Sequence, residues 1–173
     1  MTSLPRSTRL EAEVPDTARH LEFASRHYGD PVVARWHWPD HLGGARTPAQ
    51  VSKLLEAERT HQERHGYALW WWRERESGEL IGHIGLNRTE VEGEPVTEVG
   101  WSVRPDRWGE GLATEAAGAS LSWGFEVAEL DQIVSFTMVE NLASRRVMEK
   151  IGLAYVREFD RYGFDHVLYA AHR

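Results

Sequence analysis

The 173-residue sequence contains no cysteine, lacks a long apolar run and has fewer basic than acidic residues. Without cysteine, the chain can form neither disulfide bonds nor thiolate metal sites, and it cannot use a cysteine nucleophile. No apolar run approaches the ~20 residues of a membrane span, and Pro5, Arg6, Arg9 and Glu11 occupy the region that is apolar in a signal peptide. We therefore expect a cytoplasmic protein without a membrane partner.

The scarcity of positive charge also limits the partners. The net charge is −7, from 20 Lys and Arg against 27 Asp and Glu. Because nucleic-acid affinity depends on neutralisation of phosphates by Lys and Arg, we expect no nucleic-acid partner. A cationic substrate suits this charge, although a solvated acidic surface is the commoner explanation. The length and the 41% hydrophobic content favour one globular domain over residues 1–173.

Hydrophobic periodicity predicts an α/β (α+β) chain. Alternation predicts strands at 8–14, 67–73, 80–86, 96–103 and 131–139, and a closing hairpin within 153–171. Helical spacing with capping residues predicts helices over 15–27, 47–65, 113–125 and 140–151. The stretch 30–44 has no clean period and is predicted to be a loop or a broken helix. We expect a mixed, mostly antiparallel sheet of about seven strands, flanked by about four helices.

The stretch from Glu98 to Glu115 passes from a strand pattern, through glycines at 109 and 111, into a helix pattern. Glycine allows positive φ and close approach of the backbone to a ligand. The unpaired N–H groups of the first helical turn and the helix dipole point into such a turn. The pattern alone fits an ordinary strand-to-helix turn as well as a phosphate-binding loop, so its context decides.

That context consists of short motifs in a fixed order over nearly the whole chain. They are Thr8-Arg9-Leu10, Asp30-Pro31, Trp38-Pro39, Leu80-Ile81-Gly82, Glu98-Val99-Gly100-Trp101, Trp108-Gly109-Glu110-Gly111-Leu112-Ala113-Thr114-Glu115-Ala116 and Asn141-Leu142-Ala143-Ser144-Arg145-Arg146-Val147-Met148-Glu149-Lys150-Ile151-Gly152. In this order the sequence resembles the GNAT superfamily of N-acetyltransferases. Within that superfamily it resembles the Rim-type branch, which acetylates the N-termini of ribosomal proteins.

The resemblance implies transfer of an acetyl group from acetyl-CoA to a primary amine, by direct attack in a ternary complex. The amine is expected to be a protein N-terminal α-amine or a small-molecule amine. No metal is expected to take part, and the protein is expected to be a monomer or homodimer. Acetyl-CoA is expected in a cleft where strands 96–103 and 131–139 splay apart. The residues implied in its binding are Trp101, Ser102, Val103, Arg107, Trp108, Gly109, Glu110, Gly111, Leu112, Ala113, Thr114 and Asn141.

The loop departs from the family pattern at one position. Asp106, three residues before the first glycine, replaces the usual Gln or Arg. A carboxylate that pointed inward would repel phosphate. Arg104 or Arg107 is therefore expected to supply the positive charge.

Two residues are expected to handle protons. Many family members place a tyrosine general acid seven residues after the position of Asn141, but here that residue is Met148. The Rim-type branch implies that Ser144 protonates the leaving thiolate instead, although a serine in a first helical turn is commonly a surface residue. Glu98 is expected to act as the base or to orient a water, and its alternative is a cross-strand ion pair. Asn141 is expected to cap its helix as well as to bind acetyl-CoA.

The acceptor half of the sequence is rich in aromatic residues. Trp36 and Trp38 lie in a polar connection, and Trp70, Trp71 and Trp72 follow one another in a strand. Together with Tyr67 they suggest an aromatic-walled pocket for a cation, in which Trp36, Trp38 and Trp72 are the substrate-binding candidates. Packing in the core is the alternative explanation for these rings.

Two other functions fit parts of the sequence. His61 and His65 have the i, i+4 spacing of a zinc site, but residue 62 is Gln where a metallohydrolase helix has Glu, so solvated helix histidines are favoured. A non-catalytic acyl-CoA sensor with the same fold is the second alternative. Such a sensor is expected to lose the glycine loop or the Asn141 and Ser144 pair, and both are present.

Overall fold

The computed structural model describes residues 3–173, and within this range it contains seven strands. The strands are β1 (Leu10–Glu13), β2 (Leu69–Glu74), β3 (Leu80–Val91), β4 (Glu94–Val103), β5 (Gln132–Met138), β6 (Ala154–Arg161) and β7 (Phe164–His172). They form one sheet in the order β1-β2-β3-β4-β5-β7-β6. All neighbours are antiparallel except β4 and β5, which are parallel. The predicted mixed sheet is confirmed.

Five helices flank this sheet in the described part of the chain. They are α1 (Thr17–Gly29), α2 (Pro31–His37), α3 (Pro48–His65), α4 (Leu112–Glu126) and α5 (Leu142–Lys150). The sequence predicts about four, and α2 is the additional one. It forms because Pro31 occupies its first turn and the Asp30 carboxylate accepts a hydrogen bond from the Val32 N–H at 2.8 Å. With the 3-10 turn at Asp40–Leu42, residues 30–44 are the broken helix that was one of the two expectations.

Each face of the sheet is covered by different helices. On one face, α4 packs with small residues, and at Gly124 an added Cβ would lie 2.6 Å from Ile133 Cδ1, so a larger residue would have to displace that side chain. On the other face, α1 and α3 pack over Trp71. None of the helices in residues 3–173 combines the length and apolar character of a membrane span.

The three consecutive tryptophans of β2 are all fully buried. Trp72 donates its indole N–H to the Ile84 carbonyl at 2.8 Å, and Trp70 donates to the Gln62 side chain at 2.8 Å. The prediction that Trp72 binds substrate is therefore wrong, because its ring and its only polar atom are both used inside the core. Tyr67 likewise belongs to the core.

The sheet opens between its two central strands. β3 and β4 pair along their whole length, from Val91 opposite Glu94 to Gly82 opposite Val103. In contrast, β4 pairs with β5 at a single position, Glu98 opposite Val134. The strands diverge beyond this pair, so the expected splay is confirmed and leaves a cleft beside the C-terminal half of β4.

Candidate active site

A cavity of about 1210 Å³ occupies the cleft and continues to the face covered by α2 and α3. One half of its wall comes from β4, the glycine loop, the start of α4 and α5. The other half comes from α2, α3, β3 and the β6–β7 hairpin. The predicted site residues that line it are Trp36, Trp38, Glu98, Trp101, Ser102, Val103, Arg107, Trp108, Gly109, Gly111, Leu112, Ala113, Thr114, Asn141 and Ser144.

The main chain of β4 presents hydrogen-bonding groups to the cleft in alternation. The Arg104 N–H donates to the Ile81 carbonyl at 2.9 Å, which fixes the phase of the β3–β4 ladder. In an antiparallel ladder the next residues alternate, so Ser102 bonds to His83 whereas Trp101 and Val103 face the cleft. The expectation that the Ser102 main chain pairs with acetyl-CoA is therefore wrong. The Val103 carbonyl accepts a bond from the Trp108 indole at 2.6 Å.

The glycine loop has the backbone conformation that the sequence suggests. Gly109 and Gly111 have φ of +87° and +78°, a region that side chains disfavour. Gly111 is the N-cap of α4 and provides no side-chain acceptor for the first turn. The N–H groups at the start of α4 thus remain available at the positive end of the helix dipole, and they fit an anionic diphosphate.

The charged side chains around the glycine loop form ion pairs with one another. The Asp106 carboxylate accepts two 2.8 Å bonds from Arg104, and Asp106 does not line the cavity. Arg107 lines the cavity and donates to Glu110 at 2.8 Å and to Glu74 at 2.9 Å. The Glu110 carboxylate therefore holds the Arg107 guanidinium in place, and Glu110 does not line the cavity.

Two basic residues of α5 also line the cavity and were missed from the sequence. Arg146 and Lys150 are four residues apart on one helix face, and neither forms an ion pair with any described residue. The i, i+4 spacing was visible in the sequence, but only the packing of α5 places it at the cleft. These side chains are candidates for the positive charge that Asp106 does not supply.

Asn141 and Ser144 are brought together at the start of α5. The Asn141 side-chain oxygen accepts the Ser144 N–H at 3.2 Å, and its amide donates to the Thr137 hydroxyl at 3.1 Å. Asn141 is thus an N-cap, as expected. The Ser144 hydroxyl oxygen accepts the indole N–H of Trp101 at 3.3 Å, and Met148 is buried in the core.

Glu98 lies at the point where the sheet opens. It is half-buried, lines the cavity and stands opposite Asn87 on β3 and Val134 on β5. A cross-strand ion pair is therefore not its role. Burial raises the pKa of Glu98 to about 7, and the nearby Arg161 guanidinium partly opposes this rise. A carboxyl group with this pKa can exchange protons near neutral pH.

Aromatic rings cover the half of the cavity wall that comes from α2, α3, β3 and the β6–β7 hairpin. We call this half the acceptor half. Trp36 and Trp38 line it, with the guanidinium groups of Arg35 and Arg46 each 4.3 Å from the respective ring centres. The segment between α2 and α3 meets the β6–β7 hairpin where the ring of His41 lies 4.7 Å from that of Phe164. Trp36 and Trp38 therefore form part of the cavity wall, and their role in substrate binding stays a prediction.

The histidine pair of α3 has a structural explanation. His61 Nδ1 lies 2.8 Å from the Tyr67 carbonyl, and its Nε2 lies 3.2 Å from the Arg88 main-chain N–H. Both ring nitrogens of His61 are therefore occupied by the backbone. A zinc site built on His61 and His65 would have to break these bonds.

Comparison with known proteins places this geometry in a family. The acetyltransferase (GNAT) domain matches residues 9–154. An uncharacterised N-acetyltransferase of Bacillus subtilis strain 168, YoaA, is 32% identical over 125 residues, which cover 72% of this chain and 68% of the relative. A GNAT-family acetyltransferase from Bacillus anthracis superimposes with a TM-score of 0.82 at 24% identity, covering 98% of both chains.

The Rim-type fold is also among the structural neighbours. RimL, an alpha-N-acetyltransferase of a ribosomal protein solved in complex with coenzyme A, superimposes with a TM-score of 0.80 at 17% identity, covering 99% of this chain and 98% of its own. At this identity the likeness shows the shared fold. The chain belongs to the GNAT acetyltransferase family, whose members use acetyl-CoA, and it is an acyltransferase.

Proposed function

We propose that the protein transfers the acetyl group of acetyl-CoA directly to a primary amine within a ternary complex. The observation that carries this proposal is the position of Glu98, a carboxyl group with a pKa of about 7 inside the cavity that also contains the uncapped start of α4. Acetyl-CoA supplies an activated acetyl thioester at this site. The protein then has to bind the two substrates, orient them and move two protons.

The cleft residues fit the parts of acetyl-CoA. The main-chain groups of Trp101 suit the amide groups of the pantetheine arm, which would bind like an added strand, and the Val103 N–H suits the thioester carbonyl. The N–H groups from Gly109 to Thr114 suit the diphosphate. Arg107, Arg146 and Lys150 line the same half of the cavity and would contribute positive charge.

Glu98 and Ser144 divide the proton transfers between them. A primary amine is mostly protonated at pH 7, because its pKa lies between about 8 and 10. Glu98 accepts this proton, directly or through a water. The Val103 N–H donates to the carbonyl oxygen under attack. As the C–S bond breaks, Ser144 donates its hydroxyl proton to the leaving thiolate, and its oxygen regains a proton, directly or through a water, from the nitrogen that has attacked. The Ser144 oxygen accepts the indole N–H of Trp101, which leaves its own proton for this transfer.

The acceptor is a small-molecule amine or a protein N-terminal α-amine. The contact between His41 and Phe164 joins two segments that border the acceptor half, which favours a small molecule. The fold shared with RimL favours a protein N-terminus. Both acceptors present the same primary amine to Glu98.

A thiol-release assay with acetyl-CoA tests the proposal. The panel contains small amines and a peptide with a free N-terminus, and mass spectrometry identifies the acetylated product. We expect amine-dependent release of coenzyme A. Saturable acetyl-CoA binding without thiol release for every amine would instead indicate a non-catalytic acyl-CoA sensor.

A further inference from the structure

Glu58 of α3 is a carboxylate in the cavity wall that has no permanently charged partner among the described residues. Its side chain is 18% exposed, and its Oε2 atom is buried without a hydrogen bond. The nearest basic group is the imidazole of His83, whose Nε2 lies 3.1 Å away. Because a largely buried carboxylate oxygen without a hydrogen bond is costly, this position favours a cationic ligand that would supply one.

Both ring nitrogens of His83 lie within hydrogen-bonding distance of protein groups. Its Nε2 lies 3.1 Å from the Leu69 carbonyl, which can only accept, so Nε2 carries a proton. Its Nδ1 lies 2.6 Å from the Tyr28 hydroxyl. Burial and the charge of Glu58 raise the pKa of Tyr28, so this hydroxyl stays protonated. The Nε2–H of His83 is therefore directed at the Leu69 carbonyl, which leaves Oε2 of Glu58 without a hydrogen bond.

Glu58 and Glu98 approach opposite ends of Leu69. An added Cβ at Gly100 would lie 3.6 Å from Leu69 Cδ2 and 3.7 Å from Glu98 Oε1, which brings Glu98 close to the Leu69 side chain. At the other end, His83 Nε2 contacts both the Leu69 carbonyl and Glu58. The cavity wall thus carries two separate carboxyl groups, Glu98 on β4 and Glu58 on α3.

Two arginines in the same half favour a different acceptor. Arg161 donates to the Glu90 carbonyl and stacks on Phe136 at 4.7 Å, and the Arg35 guanidinium lies over Trp36. Neither guanidinium pairs with a described carboxylate, so an acceptor with its own carboxylate is the competing possibility. Comparison of cadaverine with lysine as acceptors separates a dicationic acceptor from one that carries a carboxylate.

We infer that the acceptor is a small aliphatic dication, with one amino group at Glu98 for acetylation and the second ammonium group bound by Glu58. This inference rests on the proposed function. A charge-assisted hydrogen bond to Glu58 would satisfy its Oε2 atom, which the protein leaves without a partner. Glu58 is accordingly a specificity-determining residue.

Three amines with the same carbon chain test the inference. Cadaverine has two amino groups, lysine adds a carboxylate to it, and pentylamine lacks the second amino group. We expect cadaverine to exceed both in kcat/KM, and Glu58→Gln to lower the ratio of cadaverine to pentylamine by at least about tenfold. The matched control is Glu56→Gln, an exposed carboxylate on the same helix, which should retain the ratio.

Each other outcome has a defined meaning. A ratio is independent of the fraction of folded enzyme, so partial unfolding of a variant cannot imitate the result. An unchanged ratio in Glu58→Gln, or preference for lysine or pentylamine in the wild type, overturns the dication inference and leaves the proposed function standing. Absence of turnover with every amine, despite binding of acetyl-CoA, overturns both.

Discussion

The indole N–H of Trp101 on β4 donates to the hydroxyl oxygen of Ser144 on α5 at 3.3 Å, across the cleft between the two strands. The backbone N–H of Ser144 is bound by Asn141. The position of Ser144 is thus fixed from two sides, and its hydroxyl proton is free to be donated. This arrangement separates a catalytic role of the hydroxyl from a structural role of the backbone.

For Ser144→Ala we expect kcat to fall about 10- to 100-fold, because the leaving thiolate loses its proton donor. The affinity for acetyl-CoA should change little, since the Asn141 cap uses the backbone N–H that alanine retains. Steady-state kinetics and calorimetric binding measure the two quantities. Ser122→Ala, at an exposed serine of α4, is the control. An unaltered kcat would remove Ser144 from the chemistry.

For Gly111→Val we expect loss of at least about tenfold in acetyl-CoA affinity. Valine disfavours the φ of +78°, and its side chain occupies the surface offered to the diphosphate. Gly78→Val is a matched control, because Gly78 has φ of +72° and open space around it in the β2–β3 turn. Both variants should lose stability, but only the first should lose affinity. Equal affinities would contradict the phosphate-binding role of the loop.

For Glu98→Gln we expect loss of the pH dependence near neutrality. The ionised carboxylate is the active form and its pKa is about 7, so the wild-type kcat/KM should rise as pH increases through that value. The glutamine variant should have a lower kcat/KM that does not rise with pH near 7. The separate rise of kcat/KM that follows deprotonation of the amine substrate should remain. Identical pH profiles of the two proteins would exclude Glu98 as the base.

The same substitution has a predicted effect on stability. The pKa of Glu98 is raised from 4.5 in the folded protein, so its stabilising contribution is present below about 4.5 and is lost as pH rises through about 7. Glu98→Gln should therefore be more stable than the wild type above pH 7, by up to about 3 kcal/mol. Urea unfolding at acidic and alkaline pH measures this difference.

Buried histidines predict acid sensitivity of the fold. Burial, followed by the nearby charges of His37, His83 and Arg104, lowers the pKa of His27 to about 3, and burial lowers that of His20. Below about pH 6.5 the unfolded chain takes up protons that the folded chain does not. Stability should therefore fall with decreasing pH, and His27 alone should contribute about 1.4 kcal/mol per pH unit between about pH 6.5 and 3.

The substitution His27→Gln tests this explanation. It removes one of the protons taken up on unfolding, so the stability between pH 6 and 4 should fall less steeply than in the wild type. His172→Gln, at an exposed histidine, should leave the slope unchanged. The explanation fails when both variants retain the wild-type slope.

The fold was predictable because its signals are local. Alternation located the strands, and Thr47 with Pro48 located the start of α3, where the structure adds Gln50 to complete a capping box. The glycine loop was recognisable because residues 109 and 111 are glycines, which adopt the observed positive φ without steric cost. The exception was α2, whose pattern is too short to show a period.

The parts of the site that were wrong or missed depend on long-range packing. Which side of β4 the Ser102 backbone faces depends on its register with β3, and the sequence does not contain that register. The sequence does not tell whether Trp72 packs in the core or lines a pocket. The packed sheet places its ring in the core. Glu58 and His83 lie 25 positions apart in the numbering of the chain and meet only through the packing of α3 on the sheet.

The central claim is direct transfer of the acetyl group between two substrates bound together. The most direct measurement is the initial rate of thiol release with acetyl-CoA and the amine both varied, combined with mass spectrometry of the protein. We predict intersecting double-reciprocal lines, coenzyme A and acetylated amine in equal amounts, and no acetylated protein. Parallel lines with an acetylated protein, or no amine-dependent release at saturating acetyl-CoA, would contradict the claim.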